Sequence, residues 1–80
     1  MQHYRIVEID TEGARLFRLQ RDCDCLAHFH FEETAIHTAV GLARVDSARG
    51  YDVLVSLERR DGRHEMVDAM MAQSITRKIA

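Results

Sequence analysis

Residues 59–78, Arg-Arg-Asp-Gly-Arg-His-Glu-Met-Val-Asp-Ala-Met-Met-Ala-Gln-Ser-Ile-Thr-Arg-Lys, decide how this chain is built. Asp61-Gly62 is a strong turn signal between two strands, because both residues tolerate the positive φ that a tight hairpin needs. The residues after the turn nevertheless have helical spacing. Val67, Met70, Met71, Ser74, Ile75, Lys78 and Ile79 fall along one side at a 3.6-residue period. Met and Ala favour helix, and Arg77 and Lys78 in the final turn suit its dipole. The spacing predicts a helix over 64–78, with a short fifth strand beginning at His64 as the rival.

Before this stretch, Tyr51 to Glu58 reads as a strand with Val53, Val55 and Leu57 on one side. Ser47 to Gly50 is the connection into it. Earlier still, Ile36, Ala39, Val40 and Ala43 form one apolar helical stripe starting near Glu32. Glu32 and Glu33 fit the positive end of that helix, and Arg44 lies near its end. Gly41 weakens a helix by about 1 kcal/mol relative to Ala, which close packing on a sheet would explain.

At the N-terminal end, Tyr4–Asp10 and Ala14–Gln20 flank Thr11-Glu12-Gly13 and read as a β-hairpin. Asp22-Cys23-Asp24-Cys25 reads as a turn. Leu26 to Phe31 then alternates, with Phe29 and Phe31 on one face and His28 and His30 on the other, as a third strand would. A helix running back through Leu26 and Phe29 is the competing reading. The expected order is β-β-(β)-α-β-α, a single α+β domain over residues 1–80. In it a small antiparallel sheet carries two helices packed on one face.

Composition narrows the function. The 80 residues are 46% hydrophobic and 30% charged, an ordinary globular balance with a modest core. Net charge is −2, and the acidity is concentrated: residues 22–46 hold Asp22, Asp24, Glu32, Glu33 and Asp46 against Arg44 alone. A net-acidic chain without a basic stripe is poorly suited to binding nucleic acid directly. No apolar run is long enough to cross a bilayer. The start, Met1-Gln2-His3-Tyr4-Arg5, lacks a secretory pattern, so the cytoplasm is the expected compartment.

Cys23, Cys25, His28 and His30 are the most chemical residues in the chain, and thiolate with imidazole suits tetrahedral zinc. On a continuous strand, however, the odd-numbered cysteines and even-numbered histidines face opposite ways. No metal or cofactor is therefore expected, and a zinc or redox module on these four residues is the alternative. His64-Glu65-Met66-Val67-Asp68 shares part of the metalloprotease His-Glu-x-x-His pattern, but Asp68 replaces the second ligand. An i, i+4 pair at a helix start is the simpler reading. The four glycines are isolated and no nucleophile elbow is present, so no enzyme is expected.

These exclusions leave a non-enzymatic protein-binding module whose contact residues are Asp22, Asp24, Glu32 and Glu33. Acidic side chains on a small domain can occupy a surface built to neutralise phosphates, so a nucleic-acid-binding protein or complex is the expected partner. In scale and character alone the chain is similar to small inhibitors from phages and mobile elements, including anti-CRISPR proteins. A homodimeric accessory protein, using Met70, Met71 and Ile75 as an exposed face, is a further reading.

Overall fold

The computed structural model describes residues 1–67, and the order of elements there is β1 (Gln2–Thr11), β2 (Ala14–Arg21), β3 (Asp24–Phe29), α1 (Glu32–Ala48), β4 (Val53–Glu58) and β5 (His64–Met66). The strands form one five-stranded sheet in the order β3-β2-β1-β4-β5. The β1–β2, β2–β3 and β4–β5 pairs are antiparallel, while β1 and β4 are parallel.

This corrects the expected architecture. The sheet is mixed and five-stranded, and among the described residues α1 is the one helix. His64–Met66 pairs with Ser56–Glu58, so the Asp61-Gly62 hairpin signal prevails over the helical period at residue 64. Gly62 has φ 93° and its N–H donates to the Arg59 carbonyl at 2.9 Å. Val67 continues the pairing, donating to the Val55 carbonyl at 2.8 Å. The remainder of the expected second helix, with Asp68, Met70, Met71 and Ile75, lies outside the described residues. His64 starts a strand and not a helix, and Asp68, its expected partner, lies outside the described residues.

The β1–β2 hairpin is tighter than expected. Thr11 pairs with Ala14, which leaves a two-residue turn at Glu12-Gly13. Both residues have positive φ, 51° and 79°, as the turn that matches strand twist requires.

The core lies between α1 and one face of the sheet. Tyr4 and Ile6 from β1, Phe17 and Leu19 from β2, and Val55 and Leu57 from β4 are buried against Ala35, Ala39 and Ala43. Alternation along each strand supplies this face. Alanines one turn apart let the helix axis approach closely, so small helix residues match large strand residues across the interface. Gly41 is not part of this contact. It is exposed, on the side of α1 that points away from the sheet.

Two polar ties fix α1 at its ends. At the C-terminal end Tyr4 donates its hydroxyl proton to Asp46 Oδ2 at 2.5 Å, and Asp46 is only 8% exposed. Burial and then the Asp46 carboxylate push the Tyr4 hydroxyl above the usual tyrosine range, with Arg21 opposing them. At the N-terminal end Arg59 donates to Glu32 Oε1 at 2.5 Å and also bonds Glu65. Both carboxylates hold the Arg59 guanidinium more firmly protonated than usual, Glu32 contributing most. No helix among the described residues is long and apolar enough to cross a membrane.

Candidate functional site

β3 is an edge strand, paired to β2 on one side only among the described residues. The chain reaches it through a tight turn in which Asp22 takes a positive φ of 53°. Asp has a short polar side chain and tolerates this region. The Asp22 N–H donates to the His3 carbonyl at 3.0 Å, anchoring the turn to the start of β1. The strand begins at Asp24 and ends at Phe29, two residues earlier than the alternating pattern suggests at each end.

A bulge changes which side chains share a face. Leu19 pairs with Ala27 but Gln20 pairs with Cys25, so Leu26 is the extra residue. Cross-strand partners lie on one face of a sheet. Cys25 opposite Gln20 and His28 opposite Arg18 therefore point to the same side, away from α1. The strict alternation that separates cysteines from histidines on a continuous strand is broken here. Cys25 and His28 share this face, while Cys23 lies in the turn and His30 beyond the strand end. Among the described residues no three His, Cys, Asp or Glu side chains converge as a metal site would require. Both cysteines are free and exposed.

The four acidic residues do not form one patch. Asp22 and Asp24 are exposed at the turn end of β3, and Glu33 is exposed in the first turn of α1. Five strand steps of about 3.3 Å separate these groups, roughly 17 Å along the edge. Glu32 is set apart from the other three because it is bonded to Arg59. It is a structural residue first.

At the Glu33 end of this edge the structure places an apolar side chain that pattern reading assigns elsewhere. Phe31 is not in β3 with Phe29. It is the N-cap residue of α1, with φ −122° and ψ 137°, and it makes no side-chain cap bond. The residue is 71% exposed. Ser, Thr, Asp or Asn at an N-cap stabilises a helix by about 1 kcal/mol relative to an apolar residue, because the side-chain oxygen accepts a free backbone N–H. Phe31 forgoes that bond and gains little burial in return. The bulge residue Leu26 is also exposed, at 41%, on the same edge. A signal for Phe31 is present in the sequence: Glu32-Glu33 marks the first helical turn, so residue 31 falls at the cap.

The β3–α1 corner is thus an exposed aromatic next to the exposed Glu33, and the exposed Leu26 and then Asp24 and Asp22 follow along the β3 edge toward the β2–β3 turn. Such a surface can seat in an apolar recess and pair with cations around it. It holds no arrangement of nucleophile, base and orienting group among the described residues. No family model, curated protein or solved structure matches the chain.

Proposed function

We propose that this chain is a non-enzymatic binding module that engages a protein partner through the β3–α1 corner, as an inhibitor or regulator of a larger protein. Phe31 is the anchor, Glu33 meets a basic side chain beside the recess that receives it, and Asp22 and Asp24 meet others at the far end of the same strand edge, roughly 17 Å away. A nucleic-acid-binding protein or complex fits this description, since its binding surface concentrates Arg and Lys. In size and in acting without catalysis such a module is similar to small inhibitors of the anti-CRISPR kind. The reading requires no cofactor, nucleic acid or membrane, and the two exposed free thiols are in keeping with a reducing cytoplasm.

The observation that carries the proposal is Phe31. A residue that breaks a local rule of helix construction without a compensating contact inside the fold points to a use outside it. Aromatic residues are enriched at protein interfaces, where one large rigid ring buries much area at low entropic cost. The flanking carboxylates add steering and specificity, so the association weakens as salt rises.

Capture from host lysate with immobilised wild-type protein, Phe31→Ser, Asp22→Lys/Asp24→Lys and Glu33→Lys tests this. One species should be retained by the wild type at low salt, released by added salt, and lost about tenfold or more with Phe31→Ser. The charge reversals should each weaken retention severalfold while circular dichroism is unchanged. Glu32 is left intact, because reversing it would break the bond to Arg59. Equal retention by well-folded Phe31→Ser would refute the anchor and with it the proposed surface.

A further inference from the structure

The free edge of β3 carries a second unexplained arrangement. Its hydrogen-bonding phase follows from the β1–β2 hairpin. Thr11 and Ala14 flank a two-residue turn and so exchange backbone hydrogen bonds, as does every second pair beyond them. The bond from the Asp22 N–H to the His3 carbonyl lies on the same phase. Arg18 and Gln20 therefore turn their backbone groups toward β1. Their partners on β3, His28 and Cys25, turn theirs toward the free edge. Both residues are exposed, and the bulge at Leu26 sets their side chains on one face. Their partners on β2 are two residues apart, so Cys25 and His28 stand roughly 7 Å from each other along the strand.

We propose that β3 pairs with β3 of a second copy, antiparallel about a two-fold axis between Leu26 and Ala27, and that the pair holds one zinc ion between Cys25 and His28 of both chains. The axis sets Cys25 of each copy opposite His28 of the other, because a two-fold contact is reciprocal. Both residues face the free edge, so each opposed pair exchanges two backbone hydrogen bonds at a Cα separation of about 5.5 Å. Cross-strand partners share a face, so the four side chains stand together. Their Cα atoms mark a rectangle of roughly 5.5 by 7 Å. Two thiolates and two imidazoles at this spacing suit a tetrahedral ion, with sulfur at about 2.3 Å and nitrogen at about 2.0–2.1 Å. One chain supplies two ligands, so the site is incomplete without the second copy. Strict alternation along β3 is the ground for expecting no metal, and the bulge removes that ground.

The bulge also selects the occupant. From Cys25 to His28, three steps of β3 span two steps of β2. A regular strand added at the free edge meets the same mismatch, and bulges protect sheet edges in this way. A second β3 carries the same three-step interval, and the two-fold axis lays one bulge against the other. Strand pairing alone is a small interface, below the roughly 1,200 Å² of stable complexes, so the chain stays monomeric until metal joins the two halves.

The test is sedimentation velocity and native mass spectrometry of the full chain in reducing buffer, with zinc or cobalt added to metal-free protein. Metal should convert monomer to dimer at one ion per two chains. Cobalt in the site should show thiolate charge-transfer bands and the strong visible absorption of a tetrahedral set of two sulfurs and two nitrogens. Cys25→Ser and His28→Ala should each abolish the dimer and the cobalt spectrum. Both positions are exposed, so circular dichroism should be unchanged. Cys23→Ser and His30→Ala should take up metal as the wild type does. Uptake of one ion by the monomer, a dimer that forms equally without metal, or loss of uptake on Cys23→Ser or His30→Ala would overturn the proposal. So would a folded Cys25→Ser or His28→Ala that still dimerises with zinc. Phe31→Ser should leave uptake unchanged, which separates this site from the partner-binding corner.

Discussion

Replacing Gly41 with alanine should make the monomer more stable. Gly41 is in the interior of a 17-residue helix, in α-helical conformation, and its missing Cβ would enter unoccupied space. The substitution restricts the unfolded chain and adds no clash, so the propensity difference of about 0.8–1.0 kcal/mol should appear almost in full. For a domain of this size that corresponds to an increase in Tm of about 4–8 °C. Urea denaturation followed by circular dichroism at low micromolar concentration measures the monomer alone, and the midpoint should rise with no change in slope. A fall in stability would refute the reasoning, because it would mean that another group already fills the place assigned to the new methyl. No change would mean that residue 41 is outside the cooperative helix.

Tyr4→Phe should cost about 1.5–3 kcal/mol, since it removes the proton donor of a buried carboxylate, Asp46, and leaves that group to be desolvated without it; thermal denaturation of the variant checks this, and Asp46→Asn should be milder because its amide still accepts from Tyr4. Arg59→Met should destabilise by about 1 kcal/mol, as two partly exposed ion pairs to Glu32 and Glu65 are lost together; hydrogen exchange should show the change at β5 and the first turn of α1, and a uniform change would contradict the clamp. In acid, Glu58 and Glu8 should both contribute to unfolding. The Arg5 hydrogen bond holds Glu58 below the usual range, and the Arg60 backbone N–H does the same for Glu8. A depressed folded-state pKa stabilises above the ordinary glutamate value of about 4.3 and is lost as pH falls through the depressed value. Arg5→Met should therefore flatten the pH dependence of stability below about pH 4.3, and an unaltered profile would refute the Glu58 assignment.

Parts of the candidate corner are legible without coordinates. The change from period two to a helical period at Glu32 locates the start of α1, and Asp22, Asp24 and Glu33 are exposed as charge placement suggests. Phe31 is harder to place, because the alternating run continues in the sequence two residues beyond the end of the strand. The bulge at Leu26 is invisible there, since an inserted residue leaves no mark in the hydrophobic pattern. It shows only in the register with β2. Glu32 reads as a surface acid because its partner, Arg59, is 27 positions away.

Local chemistry in the chain determined the β1–β2 hairpin, α1 and β4, since each is specified by the period of its apolar residues and by turn residues able to take positive φ, while the stretch after the hairpin fitted a helix as well as the strand that it forms. Tertiary structure alone decided that β4 lies parallel beside β1 and that His64–Met66 is a strand. All three residues of β5 are exposed, so no burial pattern announces them. They are extended because β4 offers an unpaired row of backbone donors and acceptors, and satisfying that row outweighs the modest helix preference of His64-Glu65-Met66.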